Sequence, residues 1–126
     1  MNKNYTYIED LHNEIGEIPT NGIISRTLYS DDKLKAILFG FDQGQELSEH
    51  TSTMPAIIHI LKGEARLMLG DDQIEAKTGS WAHMPTQLKH SVYAKTPLVI
   101  LLILLKSIEQ KVEAKWKGKN PSFGSL

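Results

Sequence analysis

The sequence predicts an all-β domain, an antiparallel barrel or sandwich built from about nine short strands. Three observations carry this expectation. Apolar and β-branched runs of a few residues recur between residues 22 and 106, each closed by Gly, Asp, Asn or Pro. One of them, 64–69, places Ala65, Leu67 and Leu69 on one face by strict alternation, the period of a half-buried strand. No intervening stretch is long enough for the crossover helix that a parallel sheet needs.

Taken in order, residues 1–21 form an N-terminal arm. Tyr5, Tyr7, Ile8 and Leu11 offer it apolar contacts, and Pro19 with Asn21-Gly22 stops any regular element. Two readings stay open for this arm: docking on the body, or loose attachment. Strands are expected at 23–29, ended by Ser30-Asp31-Asp32, and at 34–41, ended by Asp42-Gln43-Gly44. A third is expected at 47–53. Met54-Pro55 then marks a bend between sheets, and 56–61 follows. Gly70-Asp71-Asp72 is a hairpin signal between 64–69 and 74–76. Strands at 81–84, 90–94 and 98–105 complete a body spanning 22–106. The run 98–105 has no polar alternation, so it is expected to be covered on both faces, by the core and by a second subunit in a homodimer. In 107–126, Ile108, Val112 and Trp116 recur at i, i+4 and i+8, the stripe of a short helix on a basic tail.

With 126 residues, 40% of them hydrophobic and 23% charged, the chain is expected to be one globular domain. A net charge of −1 gives no field that favours nucleic acid or an anionic membrane. The absence of cysteine excludes disulfides, thiolate nucleophiles and Cys-type zinc sites. The first residues lack the apolar core of a secretion signal, and 98–105 is about a third of a membrane helix in length, so a cytoplasmic location is expected.

Four of the five histidines, His50, His59, His83 and His90, fall in the central stretch, and neutral imidazole is the commonest divalent-metal ligand. In 44–63, Gly44 is followed after five residues by His50-Thr51-Ser52, after three more by Ala56 and after six more by Gly63. In 79–94, Gly79 is followed after five residues by Pro85-Thr86-Gln87, after two by His90 and after three by Ala94. This stretch resembles the two-part signature of the cupin superfamily, small antiparallel jelly-roll barrels. The spacing is kept. Ser52 stands at the family's second histidine, Ala56 at its glutamate, Gln87 at a glycine and Ala94 at an asparagine.

The resemblance implies three histidines and a glutamate converging on manganese, iron, nickel, zinc or a similar ion. Only His50 and His90 carry over as ligand candidates. His59 and His83 are weaker substitutes, because an inward Ala56 makes Ile58 point inward and His59 outward. The resemblance further implies a small-molecule pocket bordered by Ser52, Ala56, Ile58 and Trp81. Two functions remain open. One is a metal-dependent enzyme, such as a dioxygenase, isomerase or decarboxylase; the other is a non-catalytic, ligand-sensing or scaffold barrel without a tightly bound metal.

Overall fold

The computed structural model describes residues 4–106, and nine antiparallel strands dominate it. The expected helix in 107–126 lies outside the described residues. A single helical turn, α1 (Leu11–Glu14), precedes the strands and is capped by the Asp10 carboxylate, which accepts from the His12 amide. The strands are β1 (Ile23–Ser30), β2 (Leu34–Phe41), β3 (Glu46–His50), β4 (Ala56–Lys62), β5 (Glu64–Leu69), β6 (Asp72–Lys77), β7 (Trp81–Met84), β8 (His90–Ala94) and β9 (Leu98–Leu105). They form a five-stranded sheet, β1-β2-β9-β4-β7, and a four-stranded sheet, β3-β8-β5-β6.

Alternation decides which residues lie between the sheets. In β4, Ala56, Ile58 and Ile60 are buried while Ile57 and His59 are less so. These meet Leu98 and Ile100 of β9, Ala65 and Leu67 of β5, and Val92 and Ala94 of β8 in one core. Met54-Pro55 carries the chain from β3 in the small sheet to β4 in the large one. β3 ends at His50, three residues short of the expected 53, after a register shift between Leu47 and His50.

The outer faces of the two sheets differ. On the small sheet, Glu46, Tyr93, Arg66 and Glu75 are aligned across neighbouring strands. Arg66 lies 5.5 Å from the Tyr93 ring centroid and bonds Glu75, which also pairs with Lys95 at 2.7 Å. That face is polar. On the large sheet, Leu38, Val99 and Leu101 join a second apolar cluster with Ile15 and Ile18 of the N-terminal arm. Gly40 permits this docking, since a Cβ there would stand 2.9 Å from both Ile15 and Ile18 side chains. The arm therefore covers part of the outer face of β9 through Ile15 and Ile18, while Tyr5 and Tyr7, offered as contacts by the sequence, are exposed.

Candidate functional site

His50 closes β3 and His90 opens β8, and the two are direct cross-strand partners. Their rings meet edge to face, with centroids 4.2 Å apart and planes inclined at 62°. His90 is buried and His50 is exposed, so the pair sits where the interior opens to solvent. Each ring is held in the same way. His50 Nδ1 lies 2.8 Å from the Ser48 carbonyl oxygen and His90 Nδ1 lies 2.9 Å from that of Leu88. A carbonyl oxygen can only accept, so Nδ1 carries the proton in both rings. In the neutral ring that leaves the lone pair on Nε2, the tautomer needed for ligation or for accepting a ligand's hydrogen bond.

The connections that carry these rings are tied to each other. The Gln87 amide donates to the Ser52 carbonyl at 2.8 Å, and the Gly70 amide donates to the Lys89 carbonyl at 2.7 Å. Ser52 Oγ accepts from the Met54 amide at 3.0 Å, so this hydroxyl is engaged in its own turn. Gln87 adopts a left-handed conformation, φ 64°, at the position where the signature carries glycine.

Ala56, the other position that would supply a donor, is 2% exposed. It is aligned with Met84 on β7 and Leu104 on β9. No polar atom replaces the missing carboxylate at that position. Among the described residues, no group of three or more His, Asp or Glu side chains is placed to hold a metal ion. The donor set at His50 and His90 is thus two imidazoles, short of the three or four donors of a usual closed site.

The remaining expected site residues separate into two places. Ile58 and Trp81 both line an apolar cavity of about 90 Å³, with Ile60, Leu67, Leu69 and Ile74 among its other walls, whereas Ser52 and Ala56 do not line it. Leu69, one of its walls, is the β5 partner of His90, while neither His50 nor His90 lines the cavity itself. Trp81 is 59% exposed and is paired with His59, while His83 is paired with Ile57. Cross-strand partners share a face, so His59, His83 and Trp81 lie on the outer side of the large sheet, away from His50 and His90. His59 and His83 are diagonal neighbours.

Residues 37–104 match the family model of the cupin domain. The chain belongs to the cupin family. The cupin barrel is similar to a conserved protein of unknown function from Streptococcus pyogenes, at 29% identity and a TM-score of 0.73, over 85% of this chain and 93% of that one. A cupin superfamily protein from Desulfitobacterium hafniense is similar at 25% identity and a TM-score of 0.73, over 83% and 97% of the two chains. The DMSP lyase DddQ from Ruegeria pomeroyi shares the fold at 20% identity and a TM-score of 0.63, over 69% of this chain and 48% of that one. Among proteins of curated function, none matches the chain. No helix among the described residues is long and apolar enough to cross a membrane.

Proposed function

We propose that this cupin binds a small molecule at the mouth of its barrel, with the Nε2 atoms of His50 and His90 as the polar anchor. The observation that carries the reading is the shared fixation of the two rings by the Ser48 and Leu88 carbonyls, which leaves an Nε2 lone pair on each neutral ring of a pair whose centroids lie 4.2 Å apart. The cavity of about 90 Å³ that shares Leu69 with the pairing of His90 would take a small apolar group. The ligand reading is therefore a compact molecule with one polar end and one short apolar end.

Among the described residues, a divalent ion such as manganese, iron, nickel or zinc would have these two imidazoles as protein donors, and it would be held weakly until a ligand or water filled the remaining positions. When bound, such an ion supplies Lewis acidity. The buried Ala56 and the engaged Ser52 hydroxyl favour a second reading, a ligand-sensing barrel without a tightly bound metal. The likeness to a lyase of 20% identity supports the fold alone, and catalysis in this chain rests on no residue beyond the pair. A cytoplasmic homodimer, joined through the outer face of the large sheet, completes the proposal.

The deciding measurement is elemental analysis of protein purified without an affinity tag, together with melting curves in added manganese, iron, nickel or zinc. A metal-dependent rise in Tm that disappears in both His50→Ala and His90→Ala supports the two-imidazole ion site. No metal in the wild type and no rise in Tm overturns the ion site and leaves the metal-free ligand barrel.

A further inference from the structure

The cavity of about 90 Å³ lies to one side of the barrel. Its described walls come from β4, β5, β6, β7 and the turn that joins β6 to β7, and none of them comes from β1, β2, β3, β8 or β9. Among the described strands, β6 is the last of the small sheet and β7 the last of the large one. The cavity therefore sits beneath the seam between two sheet edges. β3, which carries His50, is three strand spacings from β6, about 14 Å.

The seam is open along part of its length. Ile74 is the register partner of the buried Leu67, so it lies on the same inner face. Ala76, two residues further along that face, is buried, yet Ile74 is 39% exposed. An inward residue reaches solvent here because β6 pairs with β5 on one side and with no described strand on the other. At the turn the seam is laced shut. The Ile60 amide donates to the Ser80 carbonyl at 2.9 Å, and the Gly79 amide donates to the Ile60 carbonyl at 2.8 Å. The exposed Trp81 follows this tie on β7 and stands at the rim across from Ile74.

The walls decide what such a space can hold. Ile58, Ile60, Leu67, Leu69 and Ala82 offer only hydrocarbon side chains. The Ser80 hydroxyl oxygen is already engaged, accepting from the Lys77 amide at 3.0 Å. A buried water needs two or more polar partners, so a space walled in this way stays dry and favours an apolar guest.

We propose that this cavity is an apolar side pocket, entered between β6 and β7, for a small apolar molecule or the short hydrocarbon end of a ligand. The entrance is separate from the His50–His90 mouth, and Ile74 gates it. This deepens the ligand reading at one point, the route taken by the apolar end, and rests on that reading there alone.

Xenon is the probe, because it is apolar, monatomic and needs no polar anchor. In methyl NMR spectra of the full-length protein under xenon pressure, saturable shifts are expected at Ile58, Ile60 and Leu67, and none at Leu38 or Val99 of the second apolar cluster. Exchange of bound xenon, read by saturation transfer, should slow several-fold in Ile74→Trp and quicken several-fold in Ile74→Ala. His50→Trp, which adds bulk at the mouth instead, should exchange xenon at the wild-type rate. Absence of a saturable shift in the wild type overturns the pocket. Exchange that Ile74→Trp and His50→Trp change alike, or that His50→Trp alone slows, overturns the side entrance. Should Ile74→Trp fail to fold, an unchanged rate in Ile74→Ala overturns the entrance equally. Absence of metal or ligand at the histidine pair alters none of these readings, so the two proposals fail separately.

Discussion

Gln87 takes a conformation that a side chain makes costly, and the reason lies in what its amide does. At φ 64° the peptide turns so that Gln87 N–H reaches the Ser52 carbonyl, which joins the loop before β8 to the loop after β3. A non-glycine residue there costs roughly 1–2 kcal/mol, while glycine would lose about 0.5–1 kcal/mol more backbone entropy on folding. Gln87→Gly is therefore expected to raise stability by up to about 1.5 kcal/mol, read by urea unfolding. Gly63 presents the opposite case. Its φ is 103°, and a Cβ there would stand 2.3 Å from the Pro97 carbonyl oxygen. Gly63→Ala should lower stability by about 1–3 kcal/mol in the same assay. At this scale the sequence was informative where spacing alone set the position: His50 and His90 kept the signature's intervals and do meet, ring to ring. The engagement of the Ser52 hydroxyl by Met54 was invisible, because serine at a turn leaves no period to read.

The β1–β2 turn is held by one carboxylate. Asp31 accepts from the Tyr29 hydroxyl at 2.6 Å, the Lys33 amide at 2.7 Å and the Leu34 amide at 2.9 Å. The Tyr29 bond first, then the two amides, bring its pKa down to about 2, with the Lys106 ammonium adding to the effect. A carboxyl lowered in the folded state stabilises above its unfolded pKa, about 3.9, and that contribution is lost as pH falls through the folded value. Asp31→Asn should accordingly melt below the wild type at neutral pH, and the two melting temperatures should converge as the pH drops from about 4 toward the folded value. Strands were the most legible elements. Runs bounded by Gly, Asp and Pro gave their number and order, and Gly70-Asp71 forms the expected turn. Docking of the arm was one of two open readings, but Ile15 and Ile18 were not named for it, although Gly40 inside an apolar strand was the signal: a strand glycine marks a place where another segment comes close.

Across the described residues, the two sheets are unlike on their outer sides, and the proposed homodimer rests on that difference. The small sheet presents the Arg66, Glu75 and Lys95 cluster to solvent, where ion pairs are screened and contribute little to association. The large sheet presents Ile57, His59, Trp81 and His83 on β4 and β7. Sedimentation at micromolar concentration should show a dimer for the wild type and a monomer for Trp81→Glu, because a carboxylate at an apolar contact would be desolvated without a partner. The barrel class was legible from strand spacing, since a closed two-sheet core needs only alternation and turns. The chemistry of the mouth was only half legible, because it depends on which inward positions carry donors.

Ala56 also bears on whether a fuller ligand set could be regained by stepwise change. A carboxylate introduced there would be sealed between Met84 and Leu104 in a position now 2% exposed, with no cation beside it among the described residues. A second histidine at position 52 would in turn remove the acceptor that serves the Met54 amide. In the metal-free protein each such step is expected to cost stability, so Ala56→Glu and Ser52→His should each melt below the wild type. A fuller donor set at this mouth is therefore expected to come at the expense of the metal-free barrel's own packing and turn.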